Sequence, residues 1–302
     1  MLTDASTLPI HRLSFKAMGS ACEVVLTANT APEAEALAKV AIDEVLRIER
    51  KYSRYTSSSI VAQINQQAGQ GAVACDAETW SLFQFASQLF EKSEGLFDIT
   101  SGVLRQAWDF KQPRLPSAEQ LANLLPLIGW QQVVLKDQTI ALPIKGMEVD
   151  LGGFGKEYAA DRAAQLLKEK GVTHGYVNLA GDMRFLGPKP HGEPWMIGIQ
   201  DPRHPDQVIA TLPMSQGGLA TSGDYERYFE LDGQRYCHVL HPQTGWPVKY
   251  WRTVSVTAPL AVLAGCTTTM AMLKEAQGLE FLKSTGFDYF AIDQNGDAHV
   301  HT

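Results

Sequence analysis

The segment best suited to chemistry is Gly152-Gly153-Phe154-Gly155-Lys156. Glycines let a ligand approach the backbone, and free N–H groups at a helix start suit a phosphate, with Lys156 as counter-charge. The spacing meets neither common nucleotide signature. The last small position of a dinucleotide fingerprint falls on Tyr158, and Glu157 stands where a Walker loop needs Ser or Thr. A plain strand-to-helix turn reads the same way, so both readings stay open. Further on, Val177-Asn178-Leu179-Ala180-Gly181-Asp182 runs from a strand into a polar turn, where Asn178 or Asp182 could bind a ligand hydroxyl; Gly-Asp is also an everyday turn. Ala220-Thr221-Ser222-Gly223-Asp224-Tyr225 gathers hydroxyls beside a glycine. It lacks the nucleophile-elbow spacing of serine hydrolases, yet can donate to a phosphate. Cys237 and His238 are neighbours on an expected strand, so their side chains face opposite ways and cannot form a dyad. His238 and His241 lie three apart, a weak metal pattern, ahead of a Pro242-Gln243-Thr244-Gly245 turn. Asp98, among apolar neighbours in Gly95-Leu96-Phe97-Asp98-Ile99-Thr100, must find partners if buried, as a cap or as a ligand anchor.

The elements that must carry these residues show in the hydrophobic periodicity. Residues 21–27 alternate, with Cys22, Val24 and Leu26 on one face, and read as a strand. Thr30-Ala31-Pro32-Glu33 opens a helix that buries Leu37, Ala41, Val45 and Ile48 and ends near residue 52. A polar loop at Thr56–Ser59 precedes a helix from Ala77 to Lys92. Residues 111–145 read as a peripheral insert with a short helix from Ser117 and strands around Val133–Leu135 and Ile140–Leu142. A strand over 147–151 leads through the glycines into helix 156–170. Strands follow at 175–180, 183–187, 194–200, 208–212, 226–231, 235–240 and 252–257. Helices 261–274 and 276–285 and a hairpin across Asp293–Gly296 complete the chain. Strands in hairpin order imply an α+β fold with antiparallel or mixed sheets and flanking helices. No linker divides the chain, so 1–302 reads as a single domain.

Composition excludes several classes. The chain has 302 residues, 45% hydrophobic and 20% charged, a globular profile long enough for a sizeable core. A net charge of −7 lacks the basic face that nucleic acid demands. Four cysteines without CxxC spacing read as reduced, mostly buried side chains. No stretch approaches the ~20 apolar residues of a membrane span, and the N-terminus shows no apolar leader core, so a cytoplasmic location is expected.

No single piece is specific, but their order is. The chain resembles the ApbE-like flavin transferases from about residue 15 to 295 and is expected to share the ApbE-like fold. The matching runs are 17–20 (AMGS), 52–55 (YSRY) with Ile64-Asn65, 95–102 (GLFDITSG) and 150–163 (DLGGFGKEYAADRA). They continue through 177–182 (VNLAGD), 195–202 (WMIGIQDP), 220–225 (ATSGDY), 238–248 (HVLHPQTGWPV) and the 264–270 helix. The resemblance implies a protein that binds FAD, cleaves its pyrophosphate with Mg²⁺, and passes FMN to a Thr or Ser of an acceptor flavoprotein. Carried over, Met18, Tyr55, Leu96, Phe97 and Asp98 are flavin and adenine contacts. Asp150 and Lys156 are nucleotide contacts, Gly181 and Asp182 line the site, and Ser222 and Thr244 lie near the phosphates. His238 matches the general base, and Gly153 (by its carbonyl) and Thr269 match metal ligands.

The chain departs from the pattern at the last motif. Where the family reads A-D-A-L-S-T, this chain reads Ala264-Gly265-Cys266-Thr267-Thr268-Thr269, so Gly265 stands in place of a magnesium-binding Asp. His241 and Ala180 also replace residues the family commonly has. The metal could then rest mainly on the pyrophosphate, or Thr267 and Thr268 could hold its waters. The alternatives to transfer are an FAD-binding protein that has lost the activity and an FAD pyrophosphatase giving FMN and AMP. Restoring a carboxylate at 265 is expected to separate them.

Overall fold

The computed structural model describes residues 8–302. The first seven residues, part of the stretch read as lacking a leader, lie outside the described residues. β1 (Ile10–Ala17) and β2 (Ser20–Thr27) form a hairpin across Met18-Gly19, both with positive φ. α1 (Ala31–Tyr52) starts as expected, with the Thr30 hydroxyl accepting from Glu33 N. Next come α2 (Ile60–Gln66), β3 (Ala72–Ala74), α3 (Ala77–Lys92), a 3-10 helix (Ile99–Gln106) and α4 (Ala118–Leu124). β4 (Val134–Lys136) and β5 (Thr139–Ala141) lead to α5 (Gly155–Glu169). β6 (Gly175–Leu179), β7 (Asp182–Gly187), β8 (Trp195–Gln200) and β9 (Val208–Met214) follow. Then come β10 (Gly217–Gly223), β11 (Tyr228–Leu231), β12 (Gln234–Cys237) and β13 (Trp251–Ala258). The chain ends with α6 (Ala261–Leu273), α7 (Gly278–Thr285), β14 (Tyr289–Asp293) and β15 (Ala298–His301).

The fold is α+β. Its eight-stranded sheet runs β1-β2-β6-β7-β10-β13-β14-β15, and every pairing in it is antiparallel. Both faces are covered. Val24, Leu26, Val177 and Leu179 point to the helices, where Ala38, Val45, Ala160 and Leu167 of α1 and α5 complete the main core. The intervening Val25, with Tyr176, Phe185 and Leu219, points the other way onto Trp195, Ile199 and Met214 of the β8–β9 hairpin. α1, α5 and α6 lie side by side across the sheet, α5 in contact with both neighbours.

Several expectations change. Residues 147–151 are extended but belong to no sheet. Their backbone groups go elsewhere: Val149 N donates to Asn65 Oδ1 at 2.7 Å, Asn65 Nδ2 donates to Val149 O at 3.0 Å, and Asp150 N donates to Ile99 O. β10 takes in most of the hydroxyl-rich run 220–225, where no strand was expected, and β1, α2 and the 3-10 helix were not expected either. Residues 111–145, read as a peripheral insert, send Trp130, Ile140 and Leu142 into the main core, and β4 and β5 form a sheet with β3. Cys22, Cys237 and Cys266 are buried and Cys75 half-buried, all unbridged. Among the described residues no helix is long and apolar enough to cross a membrane.

Candidate functional site

At one end of the helix layer, where α5 begins and α6 ends, lies a cavity of about 810 Å³, a volume typical of small-molecule sites. Its walls come from within 54–55, 96–111, 150–157, 221–228 and 238–240, with Asp182, Thr269 and Leu273. The chain enters α5 through a braced turn. Asp150 Oδ2 pairs with Arg54 Nη1 at 2.8 Å while its Oδ1 accepts from Gly152 N at 3.0 Å. A side chain at Gly153 would meet the Phe97 ring, whose Cζ lies 3.0 Å from a Cβ built there. No side chain caps α5; Gly155 N donates to Leu151 O at 2.7 Å, and the N–H groups that follow it are the ones a ligand at the cavity could take.

Charge gathers just behind this turn. Lys156 Nζ pairs with Asp182 Oδ2 at 2.7 Å. Burial works against the ammonium, but Asp182 and then Glu157 outweigh it and hold Lys156 above its ordinary pKa. Burial, reinforced by the charge of Asp182, pushes the Glu157 carboxyl well above its usual range. Across the cavity, burial and the cations Arg227 and Lys156 lower the His238 pKa to about 4, so the imidazole is neutral at pH 7. Its Nδ1 is buried with no hydrogen-bond partner among the described residues. Ser222 Oγ lies 2.8 Å from Thr268 Oγ1, which donates to Gly265 O at 2.9 Å. No three His, Cys, Asp or Glu among the described residues cluster as a metal site.

A neutral imidazole, a lysine and a helix start around one cavity suit phosphate chemistry. The ApbE family matches over residues 18–291. The chain belongs to the ApbE family. It is 32% identical to the FAD:protein FMN transferase of Escherichia coli K12 over 68% of its own length, a match that spans 62% of that relative. A second relative of that name, from Klebsiella pneumoniae, is 29% identical over 98% of this chain and 87% of its own. Among solved structures, the ApbE protein of Thermotoga maritima superposes with a TM-score of 0.88 at 31% identity, over 97% of both chains. The apo flavinyl transferase ApbE of Pseudomonas stutzeri gives 0.85 at 28% identity, over 98% of this chain and 94% of its own.

The family resemblance assembles unevenly around the cavity. Tyr55, Leu96, Phe97, Asp98, Asp150, Gly153, Lys156, Asp182, Ser222, His238 and Thr269 all line it; Met18, Gly181 and Thr244 are not among its lining residues. Each of those three serves its own turn. Met18 N donates to Glu49 Oε1, Gly181 N to Asn178 Oδ1, and Thr244 Oγ1 accepts from Trp246 N. Asp98 proves to be a cap: its carboxylate accepts from Thr100 N, Thr100 Oγ1 and Trp130 N, leaving it committed to the protein. Tyr55 is 78% exposed at the rim with the Arg54 guanidinium 5.0 Å from its ring, a platform for a flat ring system. Arg54, Trp108, Glu157 and Arg227 also line the cavity. Arg54 lies inside a quoted run and Glu157 beside Lys156, whereas nothing in the spacing marks Trp108 or Arg227.

Proposed function

We propose that this chain transfers the FMN moiety of FAD to a Thr or Ser hydroxyl of an acceptor flavoprotein and releases AMP. The observation that carries this reading is the joining, in one cavity, of the open start of α5, the Lys156–Asp182 pair and a neutral His238. The names of the relatives support it. The acceptor Oγ attacks the FMN-side phosphorus, the bond from that phosphorus to the bridging oxygen breaks, and AMP leaves with that oxygen. His238 takes the hydroxyl proton, which suits an imidazole that is free of protons at neutral pH. Lys156 and the N–H groups at the α5 start bind the pyrophosphate and stabilise the charge that grows on it. Tyr55 and Phe97 offer apolar faces to the ring systems, and Trp108, on the same wall, stacks on Phe229 of β11.

Mg²⁺ belongs to the same reading. The Gly153 carbonyl accepts from no backbone N–H among the described residues, and Thr269 stands with it on the cavity wall. These are the hard oxygen donors that Mg²⁺ takes together with substrate phosphates, where it would neutralise pyrophosphate charge. The test is incubation with FAD and Mg²⁺, with and without an acceptor domain, read by in-gel flavin fluorescence and product chromatography. A fluorescent acceptor band with AMP release, lost in His238→Ala, supports transfer. FMN and AMP without a band would replace it with hydrolysis, and bound but intact FAD would reduce the protein to a binder.

A further inference from the structure

Beyond the charge of neighbouring Lys156, nothing among the described residues satisfies one oxygen of the Glu157 carboxyl. It is 6% exposed, and its Oε2 is buried with no hydrogen-bond partner among the described residues. Burying a carboxylate without a partner is strongly unfavourable, so such a group points to a ligand. Lys156, next in the chain, makes its ion pair with Asp182 rather than with Glu157. Glu157 lines the cavity together with Gly153 and Thr269.

The space it fills exists because residue 265 is glycine. A Cβ on Gly265 would lie 2.6 Å from Glu157 Cγ and 2.7 Å from its Cδ, overlapping the carboxylate itself. The register of α5 against α6 explains the meeting. Asp161 accepts from Ala261 N and Val262 N at the start of α6. One turn nearer the cavity on both helices, Glu157 faces Gly265; one turn further come Gly153 and Thr269, both on the wall. The helices run antiparallel, and position 157 on one and 265 on the other share a single side-chain space.

We propose that Glu157 is the acidic ligand of a divalent cation, presented from α5 into the space that a side chain at 265 would occupy from α6. Its partners in that site are the Gly153 carbonyl and the Thr269 hydroxyl. The proposal rests on the transferase reading and names the carboxylate of its cation site. It also reverses the expected effect of a carboxylate at 265. Gly265→Asp alone would force a second acid into occupied space, whereas Glu157→Gly with Gly265→Asp exchanges one carboxylate for the other.

The test is Mn²⁺ titration of the protein with FAD bound, read as loss of the free Mn²⁺ signal in electron paramagnetic resonance. Glu157→Gln keeps the shape and removes the charge, and FAD affinity and Tm in EDTA report its folding. Expected are at least tenfold weaker Mn²⁺ binding in Glu157→Gln with a Tm in EDTA no lower than wild type, similar weakening in Gly265→Asp, and recovery in the exchanged pair. A purely structural Glu157 would lower the Tm and leave Mn²⁺ affinity alone. Wild-type Mn²⁺ affinity in Glu157→Gln would overturn the assignment while leaving the transferase intact. No Mn²⁺ binding by the wild type with FAD would overturn the cation reading itself. An exchanged pair that folds yet stays weak would overturn the shared-space argument.

Discussion

A general base must be neutral before it can take a proton, and the surroundings of His238 decide that. With its pKa lowered to about 4 by burial and two neighbouring cations, its protonation should not limit transfer anywhere between pH 8 and 5.5. A transfer rate that falls with an apparent pKa of 6 to 7 would remove His238 from the role. His238→Ala should cost on the order of 10²–10⁴ in transfer rate while FAD affinity holds, since only the proton step is lost. The same shift acts on stability. An unfolded histidine protonates near about 6.5, so the folded state loses stability as pH falls from there towards 4. Thermal melts of wild type and His238→Gln should therefore diverge below pH 6.5 and run parallel above it. Much of this site is legible in sequence: Lys156 and His238 stand in recognisable runs. Glu157 is not, because its meaning depends on a missing side chain on another helix. Asp98 reads equally well as anchor or cap until Trp130 N is seen to claim its second oxygen.

Elements were most legible where periodicity was clean. α1, α3 and α5 fall within a residue or two of their expected ends, because buried faces of the 3.6-residue period repeat for several turns; α6, buried on nearly every side, shows as an apolar run of helical length instead. β10 escaped because its glycines look like punctuation. They are there for packing: a Cβ on Gly218 would meet the α6 backbone, with Leu260 C at 2.6 Å, so glycine lets the helix rest directly on the strand. Residues 147–151 misled in the opposite sense, since an apolar extended run can be held by one asparagine, Asn65, as well as by a neighbouring strand. The α5–α6 contact carries its own prediction. Both oxygens of Asp161 hold the first N–H groups of α6, and Arg184 Nε pairs with it at 3.1 Å. Asp161→Ala should cost about 1–2 kcal/mol as a lost cap, seen as a lower Tm in calorimetry, and slow transfer because α6 presents Thr269. Asp161→Asn keeps one accepting oxygen of the two, so it should recover only part of the stability. An unchanged Tm in Asp161→Ala would mean that the packing of α6 against the sheet carries its start without help.

At the scale of the whole molecule, the cavity is a meeting of distant segments. One sheet face carries the α1–α5–α6 layer and the other the β8–β9 hairpin, and only the helix-layer end collects 54–55, 96–111, 221–228 and 238–240 around α5. A ligand seated there would touch segments far apart in the chain at once. Binding to the native state alone stabilises by about 2.7 kcal/mol at 100 times the dissociation constant, so FAD should raise the Tm in a concentration-dependent way. Hydrogen exchange should show where that stabilisation lands. Protection is expected in the 3-10 helix (Ile99–Gln106), the turn before α5 and the stretch leading into β11. The β8–β9 hairpin, on the far face of the sheet, should exchange as before, and it serves as the internal control. Protection centred on that hairpin, or a Tm that ignores saturating FAD, would place the ligand elsewhere and leave the cavity at the start of α5 without its occupant. Protection confined to residues 54–55 would mean that the flavin stacks on Tyr55 at the rim and never reaches Lys156 or His238. Only protection on all sides of the cavity fits a pyrophosphate held between α5 and α6.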